Sequence, residues 1–157
     1  PTVAAVGAET ALAGCRVLVV DDEADLRELV GTALVLGGAI VTSAASADEG
    51  LARARTDAPD VVLSDLAMPD RDGYDLLRRL RASGATMPVI ALTALASATD
   101  RQRALAAGFD AYLVKPVEPP ALIAAVARVC AEARRAPAAR TGPSSADGPV
   151  RRDGQAR

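Results

Sequence analysis

The sequence predicts an α/β fold in which five βα units, (βα)5, form a doubly wound five-stranded parallel sheet. Short apolar runs alternate with segments of helical periodicity along the chain. The apolar runs lack polar alternation, as expected for strands that helices cover on both faces. Aromatic residues make up only 2% of a chain that is 50% hydrophobic, so we expect a core of Ala, Val, Leu and Ile.

Five runs have the length and composition of buried strands, and Gly, Pro or Asp residues bound them. Right-handed crossovers allow the five units to form an open sheet with helices on both faces. In such sheets ligands bind beyond the carboxyl ends of the strands, so functional residues are expected there. The predicted strands are residues 16–20, 39–43, 60–64, 88–92 and 111–114.

Each predicted strand is followed by a predicted helix. After the first strand, apolar residues recur at helical spacing and predict one buried stripe, which ends before the pair Gly37 and Gly38. Ser46 and Glu49 have the spacing of a capping box at the start of the second helix. The third helix is predicted over 74–80 and the fourth over about 99–107. The stripe of the first helix comprises Leu26, Leu29, Val30, Ala33 and Leu34.

The fifth helix is expected to start at the pair Pro119 and Pro120, because proline fits the first turn of a helix. At 157 residues and 16.0 kDa, the chain is long enough for one domain of ordinary size. We assign that domain to residues 14–135. The small residues of 1–13 predict an N-terminal linker, and the Pro, Gly, Ser and Arg of 136–157 predict a disordered tail. The start at Pro1 rather than Met suggests a segment of a longer chain. The buried face of the fifth helix is predicted to carry Leu122, Ile123, Val126, Val129 and Cys130.

Composition excludes several classes of function. A net charge of −2 and a pI near 5.2 give no basic field for nucleic acid or an anionic membrane, so we expect neither partner. No apolar stretch reaches the roughly 20 residues that span a bilayer, which predicts a cytoplasmic protein. The chain has no His, so a phosphohistidine must come from elsewhere. Cys15 and Cys130 are distant in sequence and predict two reduced, buried thiols rather than a metal site or disulfide.

Three carboxylates follow predicted strands. Asp21 and Asp22 come directly after the first strand, and Asp65 comes directly after the third. Three carboxylates on one edge repel each other unless a cation neutralises them, and oxygen ligands favour Mg²⁺. The alternative is that these residues only begin turns or cap helices.

A hydroxyl and an ammonium are predicted at the same edge. Thr93 ends the fourth strand and Lys115 follows the fifth. A nucleophilic carboxylate, a metal, a lysine and a hydroxyl together suit in-line phosphoryl transfer. Taken singly, Thr93 is a common strand residue and Lys115 an ordinary surface charge, so the inference depends on their being together.

The motifs "VLVVDDE", "DVVLSDLAMPDRDGYDLL", "IALTA" and "GFDAYLVKPV" occur in this order. Through them, residues 14–135 resemble the receiver domains of bacterial response regulators. The resemblance implies a flavodoxin-like sheet with strand order 2-1-3-4-5. It also implies that Asp65 is the phosphoacceptor, and that Asp21, Asp22, Asp65 and the backbone carbonyl of Ala67 hold Mg²⁺. Lys115 would pair with the phosphoryl oxygens.

The resemblance implies further roles. Thr93 would be a switch hydroxyl, and Tyr112 an aromatic whose rotamer follows it; the alternative for Tyr112 is an ordinary half-buried strand aromatic. The Lys115–Pro116 peptide bond is a candidate for the cis isomer. Ala67 and Leu95 occupy the positions that tune phosphoryl lifetime, and because neither can orient water, we expect slow self-dephosphorylation.

The implied function is a phosphorelay switch that catalyses only its own phosphorylation and dephosphorylation. The implied partners are a histidine kinase or a histidine phosphotransfer domain as phosphodonor, and a downstream protein effector. Homodimer formation is left open. The sequences near the two ends of the predicted domain favour the receiver of a hybrid sensor histidine kinase; these are "LAGCRVLVVDDE" and "KPVEPPALIAAVARV". The alternatives are a stand-alone single-domain regulator and a receiver that binds proteins without phosphorylation. An aspartyl-phosphate hydrolase would use a DxD motif and a cap, whereas Asp21 and Asp22 are adjacent.

Overall fold

The computed structural model describes residues 11–135 as five strands and five helices in strict alternation. The strands form one parallel sheet in the order 2-1-3-4-5, which confirms the predicted fold class. The elements are β1 (Arg16–Val20), α1 (Ala24–Leu36), β2 (Ile40–Ala44), α2 (Ala47–Asp57), β3 (Val61–Ser64), α3 (Gly73–Ala82), β4 (Val89–Thr93), α4 (Ala98–Ala107), β5 (Ala111–Val114) and α5 (Pro119–Arg135).

The sheet separates two layers of apolar side chains. Successive strand residues point to opposite faces, so Leu18 and Val20 belong to one layer, whereas Val17 and Val19 belong to the other. Helices α2, α3 and α4 cover the first layer. Helices α1 and α5 cover the second. The core is therefore mainly aliphatic on both faces, as the composition predicted, with Phe109 and Tyr112 buried in the first layer.

The predicted stripe of α1 is wrong at one position. Val30 and Leu34 are buried, but the Leu29 side chain is 66% exposed. Adjacent helical residues are rotated by about 100° around the axis, so when Val30 faces the sheet Leu29 points to the flank. Leu26 and Ala33 are partly buried at the border of the stripe.

The predicted capping box is present at the start of α2. The Ser46 hydroxyl accepts a hydrogen bond from the Glu49 backbone N–H at 3.1 Å. The Glu49 carboxylate accepts one from the Ala45 backbone N–H at 3.1 Å, so it reaches one residue further back than Ser46. The bond to Ser46 satisfies a donor that helix geometry leaves free, and the bond to Glu49 holds the chain just before the helix.

The ends of the folded part bear on the predicted domain limits. Leu12 falls within the predicted N-terminal linker, yet it is 1% exposed and its backbone N–H donates to the Gly37 carbonyl. The folded layer thus includes at least one residue before the predicted boundary at residue 14. The predicted tail, 136–157, lies outside the described residues, and the linker and tail assignments stay predictions. Among residues 11–135, no helix combines the length and apolar character that crossing a bilayer requires.

The strand register places the predicted site residues of different strands at one edge of the sheet. Val20 pairs with Ser64 across β1 and β3, so the residues that follow them leave the sheet side by side. Thr93 pairs with Val114 across β4 and β5, which places the next residue, Lys115, at the same edge. Apart from Tyr112, the second residue of β5, the predicted site residues therefore belong to the carboxyl ends of four strands or to the loops directly after them.

Candidate functional site

Three carboxylates meet at the carboxyl edge of the sheet. Asp21, Asp22 and Asp65 each place a carboxylate oxygen within 4.8 Å of the others. Asp21 is 3% exposed and Asp65 6% exposed, while Asp22 is exposed. The interpretation of these residues as separate turn or cap residues does not account for this proximity.

Lys115 lies between two of these carboxylates. Its Nζ atom is 2.8 Å from Asp21 Oδ2 and 3.2 Å from Asp65 Oδ2. The Lys115 side chain is only 14% exposed, so it is not the ordinary surface charge that the sequence left open. The Lys115 ammonium thus contacts the two buried carboxylates of the cluster.

The pKa values of Asp65 and Lys115 are both raised, but for different reasons. Burial raises the pKa of the Asp65 carboxyl, although the Ala67 backbone N–H at 3.1 Å and the charge of Lys115 both act to lower it. Burial acts to lower the pKa of Lys115. The hydrogen bond to Asp21 and the charges of Asp65 and Asp21 outweigh burial, so the pKa of Lys115 is raised overall.

Backbone groups orient the cluster further. The Glu23 N–H donates to Asp21 Oδ1 at 2.9 Å, which fixes one oxygen of that carboxylate. The Arg27 guanidinium donates to the Asp21 backbone carbonyl at 2.7 Å. Arg27 was not among the predicted site residues. Its position one turn after Glu23, on the helix that follows Asp21 and Asp22, is the signal that could have identified it.

A second chain of contacts joins Thr93 to Tyr112. Thr93 is 1% exposed, and its hydroxyl accepts a hydrogen bond from the Leu95 backbone N–H at 3.2 Å. The Tyr112 hydroxyl donates to the Leu95 backbone carbonyl. Both Leu95 backbone groups are therefore engaged, one by each predicted switch residue. The Tyr112 side chain is mostly buried against the layer of α2, α3 and α4.

Gly73 lies at the first position of α3, directly against the Asp65 backbone. A Cβ atom at this position would overlap the Asp65 carbonyl oxygen and approach the Leu66 Cα atom at 3.1 Å. The Gly73 N–H also donates to the Leu66 carbonyl at 3.1 Å. Glycine is thus required here by a close approach of two backbone segments.

The remaining predicted residues lie beside the cluster. Ala67 is exposed two residues after Asp65, and its N–H is directed at the Asp65 carboxylate. The Lys115–Pro116 peptide bond is cis. Leu95 is 44% exposed, so the apolar side chains at both predicted lifetime positions face solvent.

The chain matches known proteins over most of the described residues. Residues 17–127 match the model of the family described as "Response regulator receiver domain". An uncharacterised 14.6 kDa protein of Leptolyngbya boryana is 47% identical over 121 residues, which cover 76% of this chain and 92% of that protein. The probable transcriptional regulator ycf27 of Porphyridium aerugineum is 40% identical over 73% of this chain. The receiver domain of the Francisella response regulator 1452 superposes with a TM-score of 0.72 at 34% identity, covering 76% of this chain and 98% of that domain.

The relatives correct one expectation. The chain spans 47% of the Porphyridium regulator but 92% of the Leptolyngbya protein. Neither is named as a kinase, and the receiver of a hybrid sensor histidine kinase, predicted from the ends of the chain, is therefore not supported. The sequence signal failed because those ends lie next to family motifs that regulators and kinases share.

Proposed function

Because this chain belongs to the response regulator receiver domain family, we propose that it takes a phosphoryl group from a partner's phosphohistidine onto the Asp65 carboxylate. The observation that carries the proposal is the position of Asp65 Oδ2, 3.2 Å from Lys115 Nζ and beside two further carboxylates. A buried carboxylate with an adjacent cation suits acceptance of an anionic group.

The transfer forms one bond and breaks one. An Asp65 carboxylate oxygen attacks the phosphorus atom as the bond from phosphorus to the donor imidazole nitrogen breaks. The nitrogen keeps the electron pair, and the imidazole leaves neutral after protonation. Lys115 faces the three phosphoryl oxygens and offsets their charge, exchanging its contact with Asp65 for contact with the phosphoryl group.

The donor set of the acidic cluster suits Mg²⁺. Three carboxylates whose oxygens lie within 4.8 Å of one another are the hard oxygen ligands that this ion prefers. We assign Asp21, Asp22, Asp65 and the Ala67 backbone carbonyl as the residues that would hold it. When bound, the ion supplies charge neutralisation for the incoming phosphoryl oxygens.

The contacts of Leu95 suggest how phosphorylation alters the surface. A phosphoryl group on Asp65 offers new acceptors to the Thr93 hydroxyl, which in the structure accepts from the Leu95 N–H. A shift of Thr93 toward Asp65 would release Leu95, whose carbonyl is the partner of the Tyr112 hydroxyl. The rotamer of Tyr112 and the surface formed by α4, β5 and α5 would follow. A downstream protein effector would read that surface.

The relatives favour a response regulator as the context of this domain. The name of the Leptolyngbya protein carries no function, but this chain covers 92% of it, which supports a stand-alone single-domain regulator. The Porphyridium protein is named a transcriptional regulator as a whole, and this chain spans 47% of it. The phosphodonor would be a histidine kinase or histidine phosphotransfer domain. A cytoplasmic location and the absence of a nucleic-acid partner for the receiver stay predictions.

Phosphoryl lifetime is a further element of the proposal. The exposed side chains of Ala67 and Leu95 carry no group that can orient an attacking water. We expect slow self-dephosphorylation, and shorter acyl-phosphate lifetimes in Ala67→Asn or Leu95→Glu. An unchanged lifetime in both variants would exclude this explanation.

The central test is phosphorylation by a small donor. The purified chain is incubated with Mg²⁺ and acetyl phosphate, and intact mass is measured for wild type, Asp65→Asn and the surface control Asp48→Asn. We expect an alkali-labile gain of one phosphoryl group in wild type and Asp48→Asn only. A gain that persists in Asp65→Asn would assign the acceptor elsewhere. No gain in wild type, despite measured Mg²⁺ binding, would favour phosphorylation-independent protein binding or strict dependence on a cognate phosphohistidine.

A further inference from the structure

Two cysteines that are 115 positions apart in sequence meet inside the domain. Cys15 directly precedes β1, and Cys130 lies on the buried face of α5. Their Sγ atoms are 3.1 Å apart, and the two residues are 2% and 5% exposed. Both are free thiols. Sequence spacing predicted no disulfide, because the pairing depends on how α5 packs beside the start of β1.

A surface cavity is lined by one of the two cysteines. Its volume is about 380 Å³, and its lining includes Cys130, Arg134, Asp60 and Pro88 but not Cys15. Asp60 and Pro88 directly precede β3 and β4, so the cavity is at the amino end of the sheet, opposite Asp65. A small oxidant can therefore approach Cys130 without entering the carboxylate site.

The two thiols are chemically distinct. Burial, together with the hydrogen bond and charge of Cys130, raises the pKa of Cys15 to about 12, so Cys15 keeps its proton. The Cys15 S–H donates to Cys130 Sγ, so Cys130 is the sulfur that receives the hydrogen bond. Arg134, one turn further along α5, lines the same cavity and adds a positive charge there. A nearby cation and a donated hydrogen bond are the features that make a thiol reactive.

We propose that Cys15 and Cys130 form a reversible intramolecular disulfide when the protein meets a hydroperoxide. Cys130, after giving up its proton, attacks the terminal peroxide oxygen; the O–O bond breaks, Cys130 becomes a sulfenic acid, and the hydroxide or alkoxide that leaves takes up the proton. Cys15 Sγ then attacks the Cys130 sulfur, the S–O bond breaks, and the departing oxygen takes the Cys15 proton. In sum, two thiols lose two hydrogens and two electrons, and the hydroperoxide is reduced.

The local geometry suits this bond. The two Sγ atoms need to approach by only about 1 Å to reach the length of a disulfide. The bond would join the start of β1 to α5 and close a loop that includes almost the whole domain. Because a longer closed loop restricts the unfolded chain more strongly, oxidation should raise the thermal midpoint of unfolding.

The proposal is tested on the wild-type chain with hydrogen peroxide. After titration with peroxide and removal of excess, we expect loss of both titratable thiols, an intact mass lower by two hydrogens, and a linked peptide pair containing Cys15 and Cys130. The product should stay monomeric on a non-reducing gel. Its thermal midpoint should rise above that of the reduced chain, and dithiothreitol should reverse both changes.

Two variants separate the roles of the sulfurs. In Cys15→Ala, the remaining Cys130 should accumulate sulfenic acid, which dimedone traps. In Cys130→Ala, the remaining Cys15 should not react at the same peroxide concentration. Survival of both wild-type thiols, or disulfides only between chains, would overturn the proposal, and neither outcome depends on the variants folding. Dimedone labelling of Cys15 but not Cys130 would overturn the assigned order of attack.

Discussion

Neutralising Asp65 should stabilise the metal-free protein. Asp65→Asn removes one of three clustered charges while keeping a side-chain oxygen for the Ala67 N–H. Burial raises the pKa of Asp65, which means that the folded state disfavours its charged form. The variant therefore removes a charge that folding penalises.

The size of the effect follows from the distances. Two unit charges 4.8 Å apart repel by about 3.5 kcal/mol at an effective dielectric constant of 20. The buried Asp21 carboxylate therefore opposes the Asp65 charge by about 3.5 kcal/mol, and the exposed Asp22 adds less because solvent screens it. Lys115, at 3.2 Å, favours the charge by about 5 kcal/mol on the same scale. These opposing interactions roughly cancel, and burial, the largest cause of the raised pKa of Asp65, decides the sign. We expect Asp65→Asn to increase the free energy of unfolding by about 1–3 kcal/mol.

Urea unfolding at neutral pH, in EDTA and then in Mg²⁺, measures this effect. In EDTA the Asn variant should be the more stable protein. Mg²⁺ should stabilise the wild type by binding to its folded state, and the variant much less. The difference in stability between the two proteins should therefore narrow or reverse in Mg²⁺. Asp48→Asn is the matched control, because this exposed carboxylate pairs with Arg79 and its pKa is lowered. Neutralising Asp48 should not stabilise the protein.

The pH dependence of the two stabilities tests this reasoning. Because the pKa of Asp65 is higher in the folded protein than in the unfolded chain, the wild type should lose stability as the pH rises from the ordinary aspartate pKa through the raised pKa. The advantage of Asp65→Asn should therefore vanish at low pH, where Asp65 is protonated in both states, and be complete above the raised pKa. A variant that is less stable than wild type in EDTA at neutral pH would refute the reasoning about the cluster.

Three further predictions concern neighbouring features. Gly73→Ala should lower the free energy of unfolding by about 1–3 kcal/mol and weaken Mg²⁺ binding, because the added Cβ would overlap the backbone of the loop after β3. The control is Gly31→Ala, whose Cβ would meet only a side-chain carbon at 3.6 Å. In urea unfolding this control should be neutral or stabilising. Lys115→Met should cost about 3–5 kcal/mol in EDTA by leaving buried carboxylates unpaired, with a smaller loss in Mg²⁺. Because the pKa of Lys115 is raised in the folded protein, the stabilisation that Lys115 provides is complete below the ordinary lysine pKa and should be lost as the pH rises through the raised pKa. If Lys115→Met lost the same stability at all pH values, this explanation would be contradicted. Leu80→Ala, at a side chain 1% exposed, should cost about 2–5 kcal/mol, whereas Leu36→Ala, 70% exposed, should change calorimetric stability little.

The fold was predictable because each strand and helix carries a local signal. The runs around Val17 and Val62 are apolar throughout, and their length fixes strands rather than helices. The predicted strands over 39–43, 60–64 and 88–92 deviate by one residue from the observed ones, since hydrogen bonding rather than apolarity defines where a strand begins and ends. Leu29 was misassigned because a periodic pattern does not reveal how wide a stripe the sheet covers.

The composition of the site was predictable, but its contacts were not. Asp21, Asp65 and Lys115 could be placed at one edge because parallel strands end together. The contact between Tyr112 and the Leu95 carbonyl depends on the path of a loop, for which the sequence carries no periodic signal. The pairing of the two cysteines is tertiary for the same reason.

The contact between Tyr112 and Leu95 has a spectroscopic consequence. The whole chain contains no tryptophan and two tyrosines, so its intrinsic emission comes from Tyr74 and Tyr112. Tyr74 lies elsewhere, edge-on to Phe109 and beneath Arg103. In a Tyr74→Phe background the protein would carry a single native fluorophore, whose hydroxyl touches the loop that follows Thr93. Ultraviolet fluorescence could then follow that loop in real time without any attached dye.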